Sequence, residues 1–244
     1  MKKFLKWLAV MLGLIVLVAS WPTYQLYSEI QKSRSEDPLV WEEQVIELEQ
    51  QTRDLHPPGK AIVFIGSSSI RLWSTLTEDM APLPVIQHGF GGAKLHDVVH
   101  YADRLVVAYH PRAVVVFAGT NDIDPAAAKS PEVLLDSFKE FVALARSQQA
   151  DLPIFYIGIT PSILRWEVWP VAQATNQLIE QWTQSDANLH FIDTGDALLG
   201  SDGTPDKDNY VFDGLHLSEQ GYKIWTRIIH LRLLEDLGGF RVEQ

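Results

Sequence analysis

The sequence contains no cysteine among its 244 residues. It can therefore form no disulfide, offers no thiolate to a metal, has no cysteine nucleophile and lacks the cysteine that anchors a bacterial lipoprotein. Absence of thiols is compatible with an oxidising compartment, although it does not require one.

Positive charge is also scarce. Lysine and arginine number 20 against 31 aspartates and glutamates, which gives a formal net charge of −11, or −14 without the three N-terminal lysines. Such a body should repel nucleic acid and anionic lipid surfaces. We expect no nucleic-acid partner, and a neutral or cationic substrate is favoured. The 46% hydrophobic content is sufficient for one domain with a sizeable core.

The N-terminus combines positive charge with an apolar run. Lys2, Lys3 and Lys6 precede the run Trp7–Trp21, a pattern that predicts a secretory signal peptide with small residues at 18–20 for cleavage. Alternatively, residues 4–21 serve as an uncleaved inner-membrane anchor. Either alternative places the protein outside the bacterial cytoplasm, periplasmic or exported, because the lysines stay inside. The third alternative is a buried helix of the fold.

Three segments follow from this pattern. Residues 1–21 are the signal peptide or membrane anchor, residues 22–59 an amphipathic connecting arm, and residues 60–244 the globular domain. The arm has apolar residues at helical spacing between 40 and 48, and the predicted helix ends before His56. It would pack on the domain surface or space the domain from the membrane.

From residue 61, short apolar runs alternate with segments of helical periodicity. The apolar runs are residues 61–65, 85–86, 113–118, 154–159 and 189–192, and the helical segments are about 93–108, 131–149, 170–185 and 218–236. Continuous apolar runs predict strands that are covered on both faces. The alternation predicts a five-stranded parallel sheet in a three-layer α/β/α sandwich.

Polar and glycine residues follow three of these predicted strands. They are Gly66-Ser67-Ser68-Ser69, Gly91-Gly92 and Thr120-Asn121-Asp122. In open parallel sheets, ligands bind beyond the carboxyl ends of the strands, so these residues are candidates for a site.

Each candidate has a functional and a structural interpretation. A serine hydroxyl at a helix start could react, cap the helix or bind phosphate, although no Gly-Lys-Ser/Thr motif follows. Asp213 and His216 could form the orienting pair of a catalytic triad, or could be a loop aspartate beside a surface histidine. Asn121 could donate to an oxyanion or form an Asx-turn, and Gly92 could offer its N–H or only permit a positive φ.

Taken in order, four blocks resemble the SGNH hydrolase (GDSL-like lipase/acylhydrolase) family over about residues 61–235. They are Phe64-Ile65-Gly66-Ser67-Ser68-Ser69-Ile70, Gly89-Phe90-Gly91-Gly92, Gly119-Thr120-Asn121-Asp122 and Asp213-Gly214-Leu215-His216-Leu217. The resemblance implies a flavodoxin-like sandwich and a serine esterase that needs no cofactor. It implies that Ser68 is the nucleophile, that Asp213 and His216 complete the triad, and that Ser68, Gly92 and Asn121 form the oxyanion hole.

One position departs from the GDSL form of the family. Ser67 stands where that form has an aspartate before the nucleophile. This removes a nearby charge and none of the reacting groups.

Other hydrolase classes fit less well. The α/β-hydrolase elbow needs Gly-x-Ser-x-Gly, and no glycine follows Ser68 at that distance. There is no HExxH motif, His96 and His100 are interpreted as one face of a helix, and the stretch from Asp202 to Asp213 lacks the EF-hand order, so no metal is expected.

The substrate is constrained mainly by the resemblance. The Gly-Ser-Ser-Ser and Gly-Phe-Gly-Gly blocks are most similar to platelet-activating-factor acetylhydrolase-like members, which favours a short acyl group on a small-molecule, sugar or lipid ester. Arg71, Trp73, Trp166 and Trp169 could line the site, or the tryptophans could belong to the core. An O-acyltransferase acting on envelope sugars and a non-catalytic binding protein are the alternatives. The oligomeric state is left open.

Overall fold

The computed structural model of the chain describes residues 28–57, 59–125 and 128–238, together with Trp7. The predicted signal peptide or anchor at residues 1–21 lies outside the described residues, apart from Trp7. Within the described part, no helix combines the length and the apolar character needed to span a bilayer.

Five parallel strands form one sheet with the order β2-β1-β3-β4-β5. They are β1 (Ile62–Gly66), β2 (Val85–Gly89), β3 (Ala113–Phe117), β4 (Ile154–Ile157) and β5 (Leu189–Ile192). All five predicted strands are confirmed. The fourth is shorter than predicted because Ile159 leaves the sheet, and its N–H donates to the side chain of Asn176 at 2.8 Å.

From residue 42 onward, eight α-helices connect or flank the strands in the described residues. They are α1 (Glu42–Leu55), α2 (Ser68–Arg71), α3 (Leu76–Asp79), α4 (Leu95–His100), α5 (Ala102–Leu105), α6 (Pro131–Ala145), α7 (Trp169–Thr183) and α8 (Glu219–Asp236). Short 3₁₀ turns lie at Pro38–Trp41, Val107–Tyr109, Trp166–Val168, Asp196–Leu198 and Lys207–Asn209. Residues 28–34 are also helical, and we call them the cleft helix.

The single helix predicted at 93–108 is instead α4, α5 and a 3₁₀ turn. The break falls at Tyr101, whose ring packs edge-on against Phe90 and whose hydroxyl donates to the carbonyl of Pro38 at 3.0 Å. A tertiary contact therefore ends a segment whose periodicity alone is continuous.

The sheet separates two hydrophobic layers because strand side chains alternate between its faces. In β1, Val63 and Ile65 pack in the layer that includes α1 and α4–α7, whereas Ile62 and Phe64 pack in the layer that includes α8. The three-layer α/β/α sandwich predicted from the sequence is confirmed.

The helix predicted in the arm is present and packs on the domain. Trp41 and Val45 are fully buried in the first layer, and the Trp41 indole N–H donates to Asp97 Oδ2 at 3.2 Å. Arg104 of α5 forms ion pairs with Glu42 and Glu49 of α1, both at 2.8 Å. Side chains of the arm thus contribute to the hydrophobic core.

Candidate active site

The three predicted triad residues lie in hydrogen-bond contact. His216 Nε2 lies 2.8 Å from Ser68 Oγ, and His216 Nδ1 lies 2.7 Å from Asp213 Oδ2. Ser68 begins α2, with one residue between it and the end of β1, whereas the other two lie in the loop before α8. A carboxylate that accepts the Nδ1 proton leaves Nε2 free to take a proton from the serine.

The loop that carries Asp213 fixes the carboxylate in place. Asp213 Oδ1 accepts hydrogen bonds from the backbone N–H of Leu215 at 2.9 Å and of His216 at 3.0 Å. Burial raises the pKa of Asp213, but the hydrogen bonds from the His216 ring and from these two N–H groups outweigh it and lower the pKa. An antiparallel bridge between Tyr210 and Leu217 closes the loop.

Of the three consecutive serines, Ser68 faces the histidine. Ser67 is buried at the N-cap position of α2 and makes no side-chain capping bond, while its N–H donates to Phe117 O at 3.1 Å. The turn requires a glycine before it, because Gly66 has a φ of +157° and a Cβ there would overlap Phe117 O. The Ser68 hydroxyl therefore contacts His216 instead of capping the helix.

The glycine turn after β2 is held by the arm. The N–H of Gly91 donates to Gln44 Oε1 at 2.8 Å, and a Cβ on Gly91, whose φ is +27°, would overlap the Trp41 ring. Gly92 follows and lines the same cavity as Ser68. The backbone of this predicted oxyanion donor is thus positioned by α1 and by the turn that precedes it.

Asn121, the other predicted donor, is held by two neighbouring loops. Its Nδ2 donates to Ala93 O at 3.1 Å, and its Oδ1 accepts from Arg165 Nη2 at 3.1 Å. The adjacent Asp122 accepts from the N–H of Leu95 at 2.8 Å and from Lys129 Nζ at 3.1 Å. The Asn121 side chain binds across loops, so the Asx-turn interpretation does not describe it.

A cavity of about 710 Å³ opens in front of these residues. Its lining includes Ser68, Gly92, Asn121 and His216 on one side and the cleft helix on the other. The residues of the cleft helix that line it are Glu29, Ile30, Ser33 and Arg34. A Cβ added to Gly92 would lie 2.7 Å from Ser33 Cβ, so this helix lies directly against the oxyanion side of the site.

Ion pairs hold the chain that follows the cleft helix. Glu36 accepts from Lys94 and, at 3.0 Å, from Lys129, and Lys94 also donates to the carbonyl of Ser35 at 2.8 Å. Burial raises the pKa of Glu36, but these lysines outweigh it and lower the pKa. The carboxylate is therefore charged at neutral pH.

The tryptophans proposed as alternatives for the site do not line the cavity. Trp73 is fully buried and stacks on Tyr222, while Trp166 and Trp169 stack on each other with centroids 6.2 Å apart. Arg71 does line the cavity and lies 3.7 Å from Glu29. The interpretation of the tryptophans as core or packing residues is the one that the structure supports.

Among the described residues, no group of three or more histidines, aspartates and glutamates is arranged to hold a metal ion. His96 lies against carboxylates, with Nε2 3.2 Å from Asp97 Oδ1 and Nδ1 3.8 Å from Glu36 Oε2. Its Nδ1 also lies 3.3 Å from Lys129 Nζ, and it makes no contact with the triad.

Sequence reasoning missed Gln44, Lys129, Arg165 and the cleft helix. Arg165 lies beyond the carboxyl end of β4, where the rule for parallel sheets would have directed attention. Gln44 and the cleft helix belong to the arm, and nothing in an amphipathic pattern tells which surface the helix covers.

Comparison with known proteins adds to this geometry. Residues 39–224 match the family model described as GDSL-like lipase/acylhydrolase. The chain belongs to that family. Since the family consists of lipases and acylhydrolases, the protein is a hydrolase of ester bonds. The chain has no match among curated proteins.

Solved structures share the fold of this GDSL-like protein. A protein from Streptococcus pneumonia assigned as a platelet activating factor has 18% identity and a TM-score of 0.67, covering 90% of this chain and 99% of its own. A GDSL-like lipase from Bacteroides thetaiotaomicron has 19% identity and a TM-score of 0.65, covering 78% and 97%. An acetyl-xylooligosaccharide esterase from Geobacillus has 16% identity and a TM-score of 0.58, covering 77% and 98%.

Proposed function

We propose that this GDSL-like hydrolase is a serine esterase that cleaves short-chain carboxylic esters through Ser68, His216 and Asp213. The observation that carries the proposal is the pair of hydrogen bonds from Ser68 through His216 to Asp213, at 2.8 and 2.7 Å. A histidine held between a carboxylate and a hydroxyl activates that hydroxyl as a nucleophile.

In the first step, Ser68 Oγ forms a bond to the ester carbonyl carbon while its proton moves to His216 Nε2. Asp213 stabilises the imidazolium that results. The negative oxygen of the tetrahedral intermediate is stabilised by the N–H groups of Ser68 and Gly92 and by the Asn121 amide. The carbon–oxygen bond to the alcohol then breaks, and His216 donates its proton to the leaving alkoxide.

In the second step, water replaces the alcohol. His216 accepts a proton from water as the hydroxide forms a bond to the acyl carbon, the ester bond to Ser68 Oγ breaks, and His216 returns the proton to the serine. The products are the carboxylic acid and the free enzyme. An alkoxide leaves with less acid assistance than an amine, which favours an ester over an amide substrate.

The preference for a short acyl group has three supports. The blocks around Ser68 and Gly92 resemble acetylhydrolase-like members of the family, and one structural neighbour is an acetyl-xylooligosaccharide esterase. Ser33 of the cleft helix also limits the space beside Gly92. Acetylated sugars and small acyl lipids are the substrate classes that we propose.

The test is a comparison of the full chain with its Ser68→Ala variant on p-nitrophenyl esters of increasing acyl length. We expect acetate and butyrate esters to be cleaved fastest, and the variant to lose activity by orders of magnitude. Ser69→Ala is the matched control, because it removes a neighbouring hydroxyl that does not contact His216. Equal rates for Ser68→Ala and the wild type would refute the mechanism, and a maximum at long chains would refute the acyl preference.

The same assay separates hydrolysis from acyl transfer. An added sugar alcohol that diverts the acyl group into a new ester would support the O-acyltransferase alternative, since both activities use the same triad. Products that remain free acid at every alcohol concentration would support the hydrolase.

We further propose that the enzyme works outside the cytoplasm. The lysines before the apolar residues 4–21 support this location, and the same residues would associate with the inner membrane if they are not cleaved. Cell fractionation with N-terminal sequencing tests it. A mature chain that starts near residue 21 indicates a signal peptide, an intact membrane-bound chain indicates an anchor, and an intact chain in the cytosolic fraction contradicts both.

A further inference from the structure

Arg165 contacts the loop that carries Asn121 at two consecutive residues. Its guanidinium donates from Nη1 to the Thr120 carbonyl and from Nη2 to Asn121 Oδ1, the latter at 3.1 Å, and lies 3.8 Å from Asp124. The backbone N–H of Arg165 donates to Ser162 Oγ at 3.3 Å. The loop after β4 thereby fixes the backbone and the side chain of the loop after β3.

These contacts determine which way the Asn121 carboxamide points. An arginine can only donate and a backbone carbonyl can only accept, so Oδ1 must face Arg165 and Nδ2 must face Ala93 O. The reverse orientation would place donor against donor and acceptor against acceptor. One of the two Nδ2 protons is donated to the Ala93 carbonyl. Because Asn121 and Ser68 line the same cavity, the other proton can be donated to a group bound there.

The positive charge also strengthens that remaining donor. The Arg165 side chain is only 13% exposed, and although burial lowers the pKa of Arg165, a guanidinium keeps its proton in proteins. Because the guanidinium is largely buried, this cation bonded to the amide oxygen draws electron density from the nitrogen and makes its N–H more acidic. A more acidic N–H binds a developing oxyanion more tightly than it binds a neutral carbonyl.

We propose that Arg165 is a positioning residue that orients and polarises the Asn121 amide for oxyanion stabilisation. Arg165 itself lines the cavity, but its guanidinium contacts Thr120, Asn121 and Asp124 and no triad residue, so in this role it acts through Asn121. The proposal rests on the esterase function proposed above.

A double-mutant cycle on the full chain tests it, with kcat and KM for p-nitrophenyl acetate measured for Arg165→Met, Asn121→Ala and the double variant. We expect Asn121→Ala to lower kcat about 100- to 1,000-fold. Arg165→Met should lower kcat about 10- to 100-fold, which is the usual effect of losing a hydrogen bond to a charged group. Its KM should stay within about threefold of the wild-type value. In the Asn121→Ala background, Arg165→Met should cost less than about twofold.

Arg146→Met is the matched control for loss of a buried arginine. Arg146 is 12% exposed and also bridges loops, donating to Leu152 O and Asn188 O at 3.0 Å each. These two residues precede β4 and β5, at the edge of the sheet opposite the triad. It should lower the melting temperature without changing kcat below the transition. Arg165→Lys keeps the positive charge but has one nitrogen where the guanidinium donates from two. We expect its kcat to lie between those of the wild type and Arg165→Met.

Two results would overturn the proposal: an Arg165→Met variant with wild-type kcat, or one whose loss is the same with and without Asn121. A failed esterase function is distinguishable, because wild type and Ser68→Ala would then be equally inactive. In that case the side-chain amide resonances of Asn121, assigned by their loss in Asn121→Ala, still test the contact. They should shift in Arg165→Met and Arg165→Lys but not in Arg146→Met, and unchanged resonances in both Arg165 variants would refute it.

Discussion

Truncation of Trp41 to alanine tests whether the arm belongs to the folded domain. The side chain is 1% exposed, packs edge-on to Phe90 at 6.3 Å and donates to Asp97. Removing a buried aromatic side chain of this size leaves a cavity and typically costs about 3–5 kcal/mol. In a domain of this length each kcal/mol lowers the melting temperature by about 2–4 °C, so we expect a decrease of roughly 6–20 °C.

The decrease is measured by thermal and urea unfolding of the full chain, followed by circular dichroism. Leu39→Ala is the control, because Leu39 lies in the same 3₁₀ turn but is 57% exposed, and its loss should change the free energy of unfolding by less than about 0.5 kcal/mol. Trp41→Phe keeps an aromatic ring and should fall between the two.

Equal stabilities of Trp41→Ala and Leu39→Ala would refute the reasoning. The arm would then not pack on the sheet in solution, and Trp41 and Gln44 could not hold the turn at Gly91. A large loss for Trp41→Ala alone would show that α1 contributes to the stability of the fold.

Three further predictions concern acid stability, the triad and the glycine turn. Burial lowers the pKa of His88 to about 4, so the unfolded chain binds a proton that the fold excludes. As the pH is lowered from about 6.5, the pKa of histidine in the unfolded chain, to about 4, the free energy of unfolding should decrease by about 1.4 kcal/mol per pH unit, measured by urea titration. His88→Gln should lose this component, and identical acid slopes would contradict it. Asp213→Asn should lower kcat about 10⁴-fold in the ester assay, because the amide favours the wrong tautomer of His216; a loss under tenfold would exclude the orienting role. Gly91→Ala should lower both the melting temperature and kcat, because the added Cβ overlaps Trp41, and unchanged values for both would show that the turn adapts.

The strands and their carboxyl ends could be predicted because their signal is local. Runs such as Val114–Val116 are apolar on both faces, as a covered parallel strand must be, and the residues after β1 and β3 come together at one edge of the sheet. Family resemblance then supplied roles for Ser68 and Asn121 that the individual motifs leave open.

The remaining parts of the site depend on contacts between segments far apart in the chain. Arg165 meets Asn121 across 44 residues, and Gln44 meets Gly91 across 47. Gln44 is a polar position of an amphipathic helix and Arg165 lies in a loop, and the sequence around each residue carries no signal for its distant partner. The break at Tyr101 has the same origin, since the contact that ends α4 comes from Pro38.

The cleft helix allows selectivity to vary separately from catalysis. The family model matches from residue 39 onward, so the cleft helix, which forms one wall of the cavity, lies outside the residues that the model matches. Exchange of residues 28–36 between homologues would change the shape and charge beside Gly92 while leaving Ser68 and His216 in place. Substrate preference could then diverge through a short N-terminal segment, without the loss of activity that accompanies changes in the triad.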